Sequence, residues 1–273
     1  PSKIQIPPSG VITIRVNDNK KIKIKTNQTS FITSLLYWGG GPNRFEYTEV
    51  FLKLINRVSV FYDVGANIGY YSLIAGIVNK NIKVVAFEPA MGSTHFLNEN
   101  VRINKLSNVF VYPIALSNIH DGKIKFYEVT NSKYTYLKHN LAGEGNTGSK
   151  TEGREFKINE VKTTTLDGFV KSENEKQIDL IKMDTEGTEN LILENADLVL
   201  NEMKPIIICE ILYNFIEPEL EDIFKRYGYE FYCHVQGGLR KQDTITRTVD
   251  DGIRNCFFVH PSKLNLIEDF LVN

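Results

Sequence analysis

Residues 60–73 read VFYDVGANIGYYSL, and this stretch decides the fold. The apolar run Val60–Tyr62 is typical of a buried strand, which Asp63 ends. Gly65 and Gly69 follow at once, and the apolar spacing then becomes helical. Glycines allow the backbone to approach a ligand closely, and the free amides at a helix start favour polar or anionic groups. In a doubly wound α/β sheet, this crossover lies at the carboxyl edge, where ligands bind.

The glycine pattern indicates which ligand to expect. A dinucleotide fingerprint, G-x-G-x-x-G, would need glycine where this chain has Asn67 and Tyr70, which argues against an NAD-linked oxidoreductase. The pattern D-x-G-x-N-x-G instead resembles the first motif of class I methyltransferases that use S-adenosylmethionine (SAM). A strand-end turn without any ligand is the alternative interpretation. The resemblance implies a cofactor site that includes Asp63, Gly65, Ala66, Asn67 and Gly69.

Composition limits the class of protein. The chain has 273 residues, which suits one large α/β domain, or one domain with a small appendage. Its residues are 42% hydrophobic, and its formal net charge is -1. This charge gives no general attraction to nucleic acid or to an anionic membrane. Cys209, Cys233 and Cys256 are widely spaced in apolar surroundings, which predicts buried thiols and neither a disulfide framework nor a zinc site. Without a signal peptide or membrane-length apolar run, a reducing cytoplasm is the expected location.

The N-terminal part differs in pattern from the rest. Val11–Val16 and Lys21–Lys25 alternate apolar and polar residues, which predicts a hairpin, and Phe31–Trp38 and Phe45–Asn56 are predicted helices. We therefore predict an N-terminal hairpin and helical cap over residues 1–56.

From residue 57 to 273 strands and helices alternate, which indicates a parallel sheet. The predicted strands are Ile82–Phe87, Val109–Pro113, Lys123–Val129, Glu160–Leu166, Ile178–Met183, Pro205–Cys209, Tyr229–Val235 and Cys256–Val259. The predicted helices include His95–Ile103, Glu217–Tyr227 and a closing helix over Ser262–Leu271. The polar, glycine-rich segment 131–155 is predicted to close over an acceptor and to be mobile without it.

Two strand ends carry further candidate cofactor contacts. Glu88 ends the second strand, where a carboxylate can accept hydrogen bonds from both hydroxyls of a ribose. A solvated strand-end carboxylate is the alternative. Ala115 and Leu116 follow the third strand, where an adenine ring would lie, although ordinary strand-end packing explains them nearly as well.

Three carboxylates form the candidate reactive cluster. Asp184 and Glu186 follow the fourth strand of the sheet and Glu210 follows the fifth, so all three should share its carboxyl edge. Like charges raise one another's pKa, which suits a general base or a divalent cation site. We expect Asp184 nearest the cofactor, and Glu186 and Glu210 facing the acceptor. A purely structural role remains the alternative.

These segments together resemble the FkbM-type family of SAM-dependent methyltransferases. The resemblance covers roughly residues 58–261, and its most specific part is the DTEG segment, where Thr185 and Thr188 stand in place of the family's common Val and Ala. It is carried by FYDVGANIGYYSL (61–73), AFEP (86–89), IAL (114–116), TTLD (164–167), IDLIKMDTEGTE (178–189), PIIICEI (205–211) and NCFFVHP (255–261). We therefore expect the α/β class I (Rossmann-like) methyltransferase fold, with a seven-stranded mixed sheet, helices on both faces and the N-terminal cap.

The resemblance also implies an activity. It implies a SAM-dependent O-methyltransferase that acts on a hydroxyl of a sugar in a glycan or glycoconjugate and releases S-adenosylhomocysteine (SAH). Nucleic acid is disfavoured because neither a [DN]-P-P-[FYW] element nor a Pro-Cys pair occurs. No membrane partner is expected, and fusion to or pairing with a glycosyltransferase is an open alternative. Two alternatives remain open: a non-catalytic SAM-binding module associated with a glycosyltransferase, and an O-methyltransferase acting on a non-sugar small molecule.

Overall fold

The computed structural model describes residues 5–130, 133, 136–141 and 155–272. Its strands, in chain order, are β1 (Gly10–Arg15), β2 (Lys21–Thr26), β3 (Val60–Val64), β4 (Lys83–Phe87), β5 (Val109–Tyr112), β6 (Ala115–Leu116), β7 (Gly122–Val129), β8 (Phe156–Thr164), β9 (Leu180–Met183), β10 (Ile206–Glu210), β11 (Glu230–Val235), β12 (Gly238–Gln242), β13 (Asn255–Val259) and β14 (Leu271–Val272). Its α-helices are α1 (Phe31–Trp38), α2 (Thr48–Leu54), α3 (Tyr70–Val78), α4 (Met91–Ile103), α5 (Leu166–Ser172), α6 (Glu189–Glu194) and α7 (Glu217–Arg226).

One large sheet organises the fold. Its strand order is β14-β12-β11-β13-β10-β9-β3-β4-β5, and the five strands from β10 to β5 run parallel. The chain moves outward from β3 to β5 and then returns to place β9 against the other side of β3. This reversal creates the topological switch point at which α/β sheets bind ligands. The predicted α/β class and mixed sheet are confirmed.

Both faces of the sheet are covered. Successive residues of β3 point to opposite faces, so Phe61 belongs to one hydrophobic core and Tyr62 to the other. The first core contains α2, α3 and the buried residues of the β1–β2 hairpin; the second contains α5, α6 and α7. Strands that are buried on both faces explain the continuous apolar runs of the sequence.

The predicted hairpin is present and packs onto α4. The Asn100 side chain accepts a hydrogen bond from the Lys25 backbone N–H (2.6 Å), and Asn104 accepts one from Lys23 (2.8 Å). Ile22 and Ile24, on the other strand face, lie fully buried in the core that Phe61 shares. The division into segments 1–56 and 57–273 stays a prediction.

Two details of the predicted fold are wrong: the number of strands in the sheet and the closing helix. The sheet has nine strands within the described residues, because β12 and β14 extend the edge beyond β11. The closing helix is replaced by two 3₁₀ helices, Pro261–Leu266 and Glu268–Phe270, and by β14. Arg57 donates to the Leu266 carbonyl (2.7 Å), and β14 pairs with β12, so contacts to distant strands override local helix propensity.

The cysteine prediction is also wrong in part. Cys233 and Cys256 form a disulfide, with their Cα atoms 4.1 Å apart, because β11 and β13 place them directly opposite one another. Cys209, opposite Cys256 on the other side, is a buried free thiol as expected. Disulfides persist mainly in oxidising compartments, so the cysteines do not support a reducing one. Separately, none of the described helices combines the length and apolar content needed to span a bilayer.

The disulfide yields a first prediction. It closes a loop with a sequence separation of 23, so the double substitution Cys233→Ser, Cys256→Ser should lower the free energy of unfolding by about 3 kcal/mol. Urea unfolding measures this change. Alkylation of the unfolded, unreduced chain should label Cys209 alone; labelling of every cysteine would contradict the pairing.

Candidate active site

A cavity of about 380 Å³ opens at the carboxyl edge of the sheet, beside the switch point. This volume lies within the range of small-molecule sites. Of the residues expected from the sequence, those that line it are Gly65, Asn67, Glu88, Ala115, Leu116, Asp184 and Glu186. Those that lie outside the lining are Asp63, Ala66, Gly69 and Glu210. The structure therefore gathers most of the predicted site around one cavity.

The loop after β3 requires its glycines. Gly65 has a φ of +72°, and a Cβ there would stand 2.0 Å from the Asp184 carbonyl oxygen. Gly69 has a φ of +93°, and its Cβ would meet a Leu97 methyl at 2.4 Å. Asn67 also adopts a left-handed conformation, with a φ of +51°, which asparagine tolerates better than most residues. The loop thus folds tightly against the turn that follows β9.

Glu88 is held in a fixed orientation at the end of β4. Its Oε2 accepts a hydrogen bond from the Asn67 backbone N–H (2.7 Å), and its Oε1 accepts one from Ala90 (2.9 Å). Burial raises the pKa of Glu88 to about 7, although both amide hydrogen bonds oppose the shift. Each carboxylate oxygen can accept a second hydrogen bond, so the group can still bind a pair of hydroxyls.

The apolar wall of the cavity comes from a second, three-stranded sheet. Its order is β6-β8-β7, and it was not anticipated as a separate sheet. Ala115 and Leu116 form β6, and Ile124 and Phe126 of β7 line the same cavity. Apolar side chains on this side can accommodate a flat ring, consistent with the position expected for adenine.

Lys182, which the sequence analysis missed, is the buried cation of the site. Its ammonium lies 3.6 Å from Oδ1 of Asp63 and 3.4 Å from Oδ2 of Asp184, and it donates to the Gly65 carbonyl (3.1 Å). Burial alone would lower the pKa of Lys182, but the Asp184 and Asp63 carboxylates hold it above its ordinary value. A lysine inside the apolar run of DLIKMD was the available signal.

Asp63 is fully buried and lies outside the cavity lining. Its Oδ2 accepts a hydrogen bond from the Ser72 hydroxyl (2.6 Å), while Oδ1 has Lys182 as its counterion and no hydrogen bond. Ala66 is also buried and donates its N–H to the Phe87 carbonyl (3.0 Å). Asp63 and Ala66 are therefore held by contacts within the protein, and their direct contact with a cofactor stays a prediction.

The turn after β9 is held by Glu189, a second residue without a predicted role. Its buried carboxylate accepts hydrogen bonds from the Thr185 N–H (2.7 Å) and hydroxyl (2.9 Å). Glu186 and Gly187 both have positive φ values, +59° and +96°, and a Cβ on Gly187 would overlap the Phe215 ring. The turn thereby directs Glu186 into the cavity lining.

Glu210 stands at the end of β10, next to the strand that carries Lys182. Burial, followed by the charges of Asp184 and Glu186, raises the pKa of Glu210 to about 7. A carboxylate with this pKa can accept a proton at neutral pH. No group of three or more His, Cys, Asp or Glu residues in the described parts of the chain is placed to hold a metal ion.

The segment 131–155 lies largely outside the described residues, and with it the predicted closure over an acceptor. The described part 136–141 contacts the N-terminal cap. The Asn27 side chain donates to the His139 carbonyl (2.7 Å), and Thr29 accepts a hydrogen bond from the Leu141 N–H (2.7 Å).

Comparison with known proteins assigns the chain to a family. A family model described as the methyltransferase FkbM domain matches residues 63–231. No curated protein matches the chain.

Several solved structures are similar. Methyltransferase FkbM from Methylobacillus flagellatus KT is 16% identical with a TM-score of 0.46, and the match covers 74% of this chain and 43% of that chain. This chain thus spans less than half of that protein's length. A SAM-dependent O-methyltransferase from Thermotoga maritima is 14% identical with a TM-score of 0.44, covering 91% of this chain and 77% of that chain. TYW2 from M. jannaschii, in complex with AdoMet, is 12% identical with a TM-score of 0.39, and the match covers 94% of this chain and 90% of that chain.

The geometry around Lys182 leads to a second prediction. Lys182→Met would leave the buried Asp63 carboxylate without its counterion and should lower the free energy of unfolding by about 3–5 kcal/mol. Lys241→Met is the matched control, since it breaks the more exposed ion pair with Glu230 and should cost at most about 1 kcal/mol. Urea unfolding compares the two variants; equal losses would show that Lys182 does not neutralise Asp63.

Glu88 gives a third prediction. Hydroxyl donors favour its ionised form, so SAH affinity should rise as the pH rises through about 7 and should level off above that value. Glu88→Gln should weaken SAH binding by about 1.5–3 kcal/mol and remove this pH dependence. Calorimetry between pH 6 and 8 tests both, with Glu160→Gln, an exposed carboxylate, as the control. An unchanged pH profile in Glu88→Gln would exclude Glu88 as the titrating contact.

Proposed function

The chain belongs to the FkbM methyltransferase domain family, and we propose that it transfers the methyl group of SAM to a hydroxyl of a sugar in a glycan or glycoconjugate. The class I methyltransferase fold and the family are the premises; the cofactor, the oxygen acceptor and the sugar are the proposal. A single observation carries it: one cavity joins the glycine loop, Glu88, the apolar wall and Asp184.

The residues present fit SAM. The tight glycine turn lets the ligand approach the backbone closely. The Glu88 carboxylate can still accept hydrogen bonds from the ribose hydroxyls. The apolar wall of the cavity can accommodate the adenine ring. Any side chain on Gly65 would collide with the Asp184 carbonyl, so the loop shape cannot form without glycine there. Asp184, 41% exposed, directs negative charge toward the cavity, which suits a cationic sulfonium.

Bound SAM supplies a methyl group that is already activated on sulfur. The chain's own residues then need to align an acceptor oxygen and remove its proton. Glu210 is our candidate general base, because its pKa of about 7 lets it accept a proton without being fully protonated at neutral pH. Glu210 lies outside the cavity lining, but the charges of Asp184 and Glu186, which do line it, act on Glu210. Glu186 is the second candidate.

A hydroxyl acceptor is supported by the presence of such a base. A neutral hydroxyl must lose its proton as the new C–O bond forms, whereas a more acidic acceptor would not need a carboxylate of raised pKa. The carbohydrate assignment rests on the family resemblance of the DTEG and glycine-loop motifs. The net charge of -1 supports a carbohydrate over a nucleic acid acceptor.

The carboxylates give a fourth prediction. Glu210→Gln keeps the shape and removes the charge, so methyl transfer should fall by about 100- to 10,000-fold while SAH affinity stays within about twofold. Glu186→Gln reports on the second candidate in the same assay. If both variants turn over at the wild-type rate, neither carboxylate is the base.

The acceptor class is tested with isotopically labelled SAM and a panel of aryl glycosides. Each active glycoside is paired with a copy whose hydroxyls are already methylated. We expect transfer to the free glycoside only, with a label that resists mild alkali, as an ether does and an ester does not. Binding of SAM without transfer to any glycoside would instead favour a non-catalytic module or a non-sugar acceptor.

A further inference from the structure

Glu46, from the N-terminal cap, lies outside the cavity lining and outside the family-matched segment 63–231, but it contacts the helix that follows the glycine loop. The Tyr71 hydroxyl donates a hydrogen bond to Glu46 Oε2 (2.7 Å). Tyr71 is the second residue of α3, directly after the glycine loop, and its ring lies under the ammonium of Lys182 at 5.9 Å. Lys182 in turn contacts Asp184, so Glu46 is linked to the reactive edge through two side chains.

The backbone holds Glu46 in this place. Glu46 has a φ of +44°, a conformation that costs free energy for a residue with a Cβ and persists only where neighbours impose it. The next residue, Tyr47, is buried and stacks on Tyr71 with the rings parallel and 4.9 Å apart. The Thr48 hydroxyl bonds to that of Tyr70 (3.1 Å). These contacts anchor the segment on α3. Burial raises the pKa of Glu46, while the hydrogen bond from Tyr71 and the charge of Lys182 oppose that rise.

The surroundings of Glu46 are charged. The charge of Lys182 lowers the pKa of Glu46, and the charge of Asp184 raises it. Glu46 in turn raises the pKa of Glu210, so the carboxyl group of Glu46 belongs to the same electrostatic environment. Asp63 and Asp184 already share the single charge of Lys182. In its ionised form the Glu46 carboxylate therefore adds negative charge that this lysine does not cancel.

We propose that Glu46 makes the site discriminate between the two forms of its cofactor, favouring the positively charged sulfonium of SAM over the neutral thioether of SAH. This inference rests on the proposed function. Coulomb attraction acts on a cation and leaves a neutral thioether almost unaffected. Removing the charge should therefore weaken binding of one ligand and spare the other, and this would help product leave after each turnover.

The test is calorimetry with SAM and SAH on wild type, Glu46→Gln, Tyr71→Phe and Glu49→Gln. Glu46→Gln should weaken SAM binding by roughly three- to tenfold and leave SAH binding within about twofold. Tyr71→Phe, which removes the orienting hydroxyl, should change the SAM-to-SAH ratio in the same direction and by less. Glu49→Gln makes the same charge change at a side chain that is 74% exposed and paired with Lys53, and it should leave the ratio unchanged.

The outcomes separate the two hypotheses. If Glu46→Gln weakens the binding of SAM and SAH equally, Glu46 only shapes the site. If the affinity for neither ligand changes, Glu46 does not act on the bound cofactor. Either result overturns the inference. Failure of the wild-type protein to bind either ligand would overturn the proposed function itself. A thermal melt of each variant confirms folding, and Tyr71→Phe provides the second readout should Glu46→Gln fail to fold.

Discussion

The ammonium of Lys182, buried between the carboxylates of Asp63 and Asp184, is the interaction on which the site depends. Both carboxylates sit on neighbouring strand ends at the switch point, and the same ammonium binds the Gly65 carbonyl between them. A buried charge without a partner is very costly, so removing either the lysine or Asp63 alone should strongly destabilise the fold. One cation therefore fixes the glycine loop and the turn after β9 relative to each other.

Burial is the main reason that two carboxylates at this edge, Glu88 and Glu210, both have a pKa of about 7. Glu88 is raised by burial, which two backbone amides only partly offset, and its task in our proposal is to accept hydroxyl donors. Glu210 is raised by burial and then by the negative charges around it, and its proposed task is to take a proton. In our proposal the same titration range therefore serves cofactor binding at Glu88 and proton removal at Glu210.

The N-terminal segment packs against the helix that follows the glycine loop. Its residues share the core that contains Phe61, and the Tyr47–Tyr71 stack brings Glu46 to the first turn of α3. The family match begins only at residue 63, so this contribution belongs to the chain's own N-terminal sequence. In our proposal the residues within the family match line the cofactor cavity, and Glu46 of the cap adds negative charge near it.

Local sequence determined the sheet strands that lead into the site, the glycine loop, Glu88 and the carboxylates after β9 and β10. Buried parallel strands need unbroken apolar runs and a tight turn needs glycine, so these features are written in consecutive residues; α1 matches its predicted bounds, Phe31–Trp38. Tertiary structure alone decided the Cys233–Cys256 disulfide, the pairing of Lys182, the position of Glu46 and the extra strands β12 and β14. Apart from β12, which forms a hairpin with β11, these are contacts between residues far apart in the chain. Such contacts follow from strand order and register, which local spacing does not encode.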